Sequence, residues 1–250
     1  MSALARTTLS APPPDWAPRA AAIDWPTATE ALHQQGSAVL PQLLSAPECS
    51  ALAGLYSGAS ESTFRSRVVM QRHGFGQGEY RYFSYPLPRV VAGLREALYP
   101  HLAPIANQWN TAMGIDVRYP ARHADFIARC HAAGQLRPTP LLLQYAPGDY
   151  NCLHQDLYGE HVFPLQVAIL LSEPGHDFTG GEFVLTEQRP RMQSRAEVVP
   201  LLRGDAVVFA VHHRPVQGTR GPYRVQMRHG VSRLRSGQRH TLGVIFHDAE

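Results

Sequence analysis

Leu141-Leu-Leu-Gln-Tyr-Ala-Pro-Gly-Asp-Tyr-Asn-Cys-Leu-His-Gln-Asp156 reads as a strand, a Pro-Gly turn and a second extended run ending in a His-x-Asp pair. In extended backbone, residues i and i+2 project from the same face, so His154 and Asp156 can grip one ion. A second pair, His123-Ala-Asp125, lies in Ala121–Ala133, which reads as a helix ended by Gly134. In a helix, i and i+2 point about 200° apart and cannot share a metal. The backbone beneath each pair, rather than the motif, separates a ligand pair from a chance match.

Working outward from that stretch, the chain after Pro140 is punctuated as short strands. These are Leu141–Tyr145, Phe163–Ser172, Glu182–Glu187, Val198–Leu201, Ala206–Val211, Tyr223–Leu234 and Thr241–Phe246, with tight turns at Gly180-Gly181 and Gly204-Asp205. Seven or eight such strands after a helical half predict an α+β fold, a double-stranded β-helix (jelly roll) backed by N-terminal helices. A jelly roll brings early strands beside late ones, so a third ligand belongs on a strand near the C-terminus. Of His161, His176, His212, His213, His229, His240 and His247, His229 fits that place best; the pair His212-His213, before Pro215, is the rival.

Two imidazoles and one carboxylate suit Fe(II), with three coordination positions left free. Arg239, ten residues after His229, opens the last strand and offers a fixed bidentate cation for the carboxylate of a 2-oxoacid such as 2-oxoglutarate. Tyr145, on the neighbouring strand, would add a phenol hydrogen bond, and Gln166 is a weaker candidate for the same pocket. Cys152 reads as a small residue packed on the back of a strand rather than a ligand.

Toward the N-terminus, Ala28–Ser60 carries helical features: a start near Thr29, then Ser45-Ala-Pro-Glu48, an N-cap with proline early in the first turn. Arg89–Leu98 and Ile105–Met113 read as two helices separated by Pro100 and Pro104. Between these regions, Phe64–Pro88 is dense in Arg, aromatic residues and Gly, and reads as a long structured loop or short hairpin. The expected organisation is a loosely ordered leader over residues 1–27, a helical region over 28–136 and a jelly-roll core over 137–250, the last two forming one domain.

At 44% hydrophobic and 17% charged residues, the chain has globular rather than disordered composition. No apolar run approaches the ~20 residues of a membrane helix. Three cysteines are too few for a disulfide framework, so a reducing cytoplasm is expected. All 23 basic residues are Arg, giving a net charge of +3, which permits nucleic-acid binding without demanding it.

At these residues the chain resembles the Fe(II)/2-oxoglutarate-dependent dioxygenases. Tyr145-Ala-Pro-Gly-Asp-Tyr-x3-His154-x-Asp156, Gly180-Gly-Glu-Phe183, Gly204-Asp-Ala-Val-Val-Phe209 and His229-Gly-Val-x5-Gly237-x-Arg239 are similar to the prolyl-hydroxylase-like branch. The resemblance implies that His154, Asp156 and His229 hold iron and that Arg239 binds the far carboxylate of 2-oxoglutarate. Along nearly the whole chain, including the segments Phe64–Tyr80, Arg137–Leu143 and Glu187–Arg195, it also resembles a bacterial family described as oxygenases acting on damaged DNA by oxidative demethylation.

That resemblance implies O2 and 2-oxoglutarate as co-substrates and damaged DNA as a partner. Arg65, Arg67, Arg72, Arg81, Tyr80, Tyr82 and Phe83 would then supply cations and stacking faces, with Arg189, Arg191 and Arg195 on the opposite rim. The alternatives are a protein, peptide or small-molecule hydroxylase, and a jelly-roll protein that holds a metal without redox chemistry.

Overall fold

The computed structural model describes residues 16–250. Most of the expected leader lies outside the described residues, but its last part is corrected. Trp16–Ala21 (α1) is helical, and the next helix, Trp25–Gln35 (α2), begins with the Asp24 carboxylate capping the Thr27 N–H. The physical reason is Trp16, which is 5% exposed and seated against Gly93, where a Cβ would lie 2.3 Å from the indole ring. Burying an indole offsets the cost of ordering the segment.

Ala46–Gly58 (α3) starts as expected, with Glu48 accepting from the Ser45 N–H at 2.8 Å. The two helices expected over 89–113 are one, Arg89–Ala112 (α4), followed by His123–Ala132 (α5). The correction has a geometric cause. Glu96, Pro100, Pro104 and Gln108 form a single exposed strip, so the carbonyls that the prolines leave unpaired face water. The opposite stripe, including Leu94, Leu98, Leu102, Ile105 and Trp109, is buried and keeps the helix continuous through both interruptions.

The strands are β1 (Ser37–Leu40), β2 (Phe64–Val69), β3 (Gly76–Gln77), β4 (Glu79–Phe83), β5 (Leu141–Tyr145), β6 (Tyr150–His154), β7 (Leu165–Leu170) and β8 (Phe178–Gly180). They continue as β9 (Phe183–Gln188), β10 (Arg195–Val199), β11 (Ala206–Ala210), β12 (His213–Gly218), β13 (Gly221–Val231), β14 (Leu234–Gly237) and β15 (Arg239–Val244). A seven-stranded sheet runs β1-β11-β7-β15-β5-β4-β2, and a second runs β10-β9-β13-β6-β3 with β12 folded back on β13. The segment Phe64–Pro88 is thus more regular than a loop, since β2 and β4 extend the large sheet beyond β5.

Alternation along the central strands sorts residues into two layers. Leu142, Val167, Ile169, Val208, Leu242 and Val244 pack with the helices. Their neighbours Leu141, Tyr145, Ala168, Leu170, Val207 and Phe209 face Phe183 and Leu185 of the second sheet. Both faces of β7 and β11 are therefore covered, which explains their unbroken apolar runs. The site lies between the sheets.

Candidate metal centre and its cavity

His229 of β13 stands directly opposite His154 of β6, with ring centroids 4.1 Å apart. Asp156 lies two residues past the end of β6 and reaches both: His154 Nε2 is 3.5 Å from Oδ1, and His229 Nε2 is 3.4 Å from Oδ2. Ligand atoms of all three lie within 4.8 Å of one another. Adjacent corners of an octahedron with bonds of about 2.1 Å lie about 3 Å apart, so the three atoms can cap one face of such a shell. His154 Nδ1 donates to the Cys152 carbonyl at 2.8 Å, which leaves its Nε2 lone pair for a metal.

Burial alone would push the Asp156 carboxyl up, but hydrogen bonds from His154 and His229 and their charge hold it well below the ordinary carboxylate range. Burial, followed by the charge of His154, pushes His229 down toward the neutral imidazole. An ionised carboxylate and a neutral imidazole are the forms that bind a metal. Without a metal, His154 is held the other way: its hydrogen bond to Asp156 and the attraction of that charge overcome burial and raise it, so a cation would displace its proton. A further hydrogen bond orients the carboxylate: Tyr158 donates its phenol to Oδ1 at 2.7 Å. Sequence reasoning missed Tyr158, although His154, Asp156 and Tyr158 continue one i, i+2, i+4 row.

The three residues open into a cavity of about 190 Å3 that also holds Tyr80, Tyr82, Tyr145, Gln166, Thr241 and Arg239. Arg239 pairs in register with Tyr145 across β15 and β5 and is 1% exposed. Its Nη1 donates to Thr241 Oγ1 at 2.6 Å, its Nε has no partner, and no carboxylate lies within ion-pair distance among the described residues. The Tyr145 hydroxyl and Gln166 Oε1 are likewise buried without partners. Burial pushes the Tyr145 phenol up to about 12, so it remains a donor at neutral pH. Isolated buried charges and orphaned polar atoms are expensive, and here they converge on one space.

Other candidates fall elsewhere. His123 and Asp125 sit on α5, the first bonded to the Phe246 carbonyl and the second to Arg122. His212 and His213 line a different cavity with Glu160 and His161. Cys152 is exposed rather than packed behind a strand. Among the proposed stacking and cationic residues, Tyr80 and Tyr82 line the cavity wall and Phe83 is in the core against Phe64.

Arg81 lies over Tyr56 and Phe64, Arg67 pairs with Glu79, and Arg65 covers Tyr82. Arg189 pairs with the buried Glu187, which Arg195 approaches at 4.0 Å. Arg72 and Arg191 remain exposed. No described helix is long and apolar enough to cross a membrane.

A family model described as "Oxygenase, catalysing oxidative methylation of damaged DNA" matches residues 78–249. An uncharacterized protein found in two strains of Mycobacterium tuberculosis is 44% identical over 227 residues, covering 91% of this chain and 91% of that protein. The fold is similar to that of a Pseudomonas putida prolyl-4-hydroxylase, with TM-score 0.52, 15% identity, and coverage of 88% of this chain and 96% of that one. It is also similar to an oxidoreductase of the 2OG-Fe(II) oxygenase family from Burkholderia pseudomallei, with TM-score 0.53, 16% identity, and coverage of 90% and 92%. The chain belongs to this oxygenase family, and its fold is the jelly-roll fold of those two proteins.

Proposed function

We propose that His154 Nε2, His229 Nε2 and the Asp156 carboxylate hold Fe(II), that Arg239 receives the distal carboxylate of 2-oxoglutarate, and that the substrate is a damaged, N-methylated base in DNA. The single observation that carries the site reading is the buried guanidinium of Arg239, without a carboxylate partner, in the same cavity as the three ligands. A protein that merely stored a metal would have no use for it. A dicarboxylate bound there would satisfy the Arg239 Nε and the Tyr145 hydroxyl together.

When bound, Fe(II) and 2-oxoglutarate supply oxidation of a C–H bond by O2, with succinate and CO2 as co-products. The protein orients the reactants: Tyr158 fixes the Asp156 carboxylate, Phe209 and Phe183 pack against the His229 ring, and the tyrosine wall excludes water. On an N-methyl base, inserting one oxygen gives an N-hydroxymethyl group, which sheds formaldehyde and returns the N–H. Oxygenation therefore removes a methyl group; it does not add one. The description of the matching family supports DNA as substrate, and the prolyl hydroxylase-like fold makes a peptide the reading to test against it.

Two measurements test this. Anaerobic addition of Fe(II) and 2-oxoglutarate is expected to give a visible charge-transfer absorption that His229→Ala abolishes. Methylated single-stranded oligonucleotides are expected to raise succinate release and yield formaldehyde in step. Stimulation by peptides alone would reject the DNA substrate, and tight Zn binding without the absorption would reject the oxygenase site.

A further inference from the structure

Phe75 is the aromatic side chain that best marks where a substrate arrives. It lines the site cavity and yet is 47% exposed, which puts its ring at the mouth. It is held there by construction. Gly74 and Gly76 on either side have φ of +71° and +130°, and a Cβ at Gly76 would lie 2.3 Å from the Tyr150 carbonyl oxygen. The Phe75 N–H donates to the Met70 carbonyl at 3.1 Å, and the Phe75 carbonyl accepts from the Cys152 N–H at 2.9 Å. Met70 is fully buried and anchors the turn. A glycine-flanked turn clipped to the strand that carries His154 thus presents a ring to solvent.

The back of that ring is already occupied. His73 stacks on Phe75 with centroids 5.3 Å apart and planes 23° from parallel, so the exposed face can take another flat ring. Two guanidinium groups lie on the neighbouring segments. Arg72 is exposed three residues before Phe75, and Arg233, also exposed, lies 5.9 Å from the ring of Tyr150, which pairs with Gln77 two residues after Phe75. Neither has a carboxylate partner among the described residues. An exposed aromatic ring with unpaired cations on the adjoining segments matches a polymer that alternates flat rings with anions, which is a nucleic acid strand.

We infer that the Phe75–His73 pair is a stacking platform for an unpaired nucleobase flanking the one that enters the cavity, with Arg72 and Arg233 on the adjoining phosphates. The enzyme then takes its substrate as a single strand or as a strand opened at the lesion. This rests on the nucleic-acid reading above, and it adds the residues and the strand state. A base in an intact duplex offers no free face, so a platform of this kind selects against paired DNA.

The test is fluorescence anisotropy with a labelled thymidine single strand of about twelve nucleotides, on the full chain. Phe75→Ala is expected to weaken binding roughly 5- to 100-fold, Phe75→Trp to restore it, and Phe75→Leu, which keeps apolar area but has no flat face, to fail. Arg233→Ala is expected to reduce the slope of log affinity against log salt by about one, while Phe75→Ala leaves that slope unchanged. If the wild-type protein binds the strand and Phe75→Ala binds it equally well, or Phe75→Leu restores binding, the platform is wrong and the nucleic-acid reading stands. If the wild-type protein ignores the strand and binds an acidic peptide, both fall.

Discussion

At the scale of single residues, the most informative side chain is one that the fold alone does not need. Arg239 is a fully buried cation with one neutral hydrogen bond, to Thr241, and its pKa is pushed down by burial. Keeping such a group costs stability unless a ligand compensates it. Arg239→Met is therefore expected to be at least as stable as the wild-type protein without ligand. It should also raise the 2-oxoglutarate concentration for half-saturation roughly 10- to 100-fold with Fe(II) affinity unchanged. Arg239→Lys recovers only part of this, because an ammonium cannot reproduce the planar fork. Thermal melts and 2-oxoglutarate titrations of the Fe(II) form check both halves, and an unchanged half-saturation would move the carboxylate site elsewhere.

At the scale of elements, the proposed metal site is the meeting of β6 and β13, and its geometry depends on a register shift. Between the pairs His229–His154 and Val231–Asn151, β13 advances two residues and β6 three. The extra residue lies opposite Gly230, where a Cβ would lie 2.7 Å from the Asn151 carbonyl oxygen. Gly230→Ala is expected to push the strands apart, weaken Fe(II) binding at least about 10-fold and cost about 1–3 kcal/mol of stability; normal Fe(II) titration and urea curves would refute this.

This bulge also marks the limit of what the sequence discloses. That His154 and Asp156 share a face was legible because a two-residue period is local, and that His229 joins them because jelly-roll topology restricts its place. The pairing that brings them together is long-range, so no window of sequence contains it. The same limit hid the continuity of α4, whose prolines break a helix unless their strip faces water, a fact set by tertiary packing. It also hid Phe75, since glycine-flanked aromatics are common and only the cavity distinguishes this one.

At the scale of the whole molecule, a polar belt ties the helices to the end of the chain. Buried Arg95 of α4 bonds Asp248 at 2.7 Å and the Ile245 carbonyl at 2.6 Å, His123 of α5 bonds the Phe246 carbonyl at 2.8 Å, and His247 Nδ1 accepts from the Phe163 N–H at 3.2 Å. Burial, then the positive charge of Arg95, pushes both His123 and His247 down to about 4, with Asp248 opposing in each case and Asp156 also at His247. In the unfolded chain both histidines titrate near 6.5. Above that value both states are neutral and the pair costs nothing. As pH falls from 6.5 toward 4 the unfolded state takes up protons that the folded state refuses, and stability drops by up to about 3 kcal/mol per histidine before levelling off. Urea denaturation of metal-free protein at stepped pH is expected to show this decline. His247→Asn, whose Oδ1 can replace Nδ1 as the acceptor for Phe163, should flatten it by about half. Parallel curves for the variant and the wild-type protein would mean that the acid sensitivity of the fold arises outside this belt.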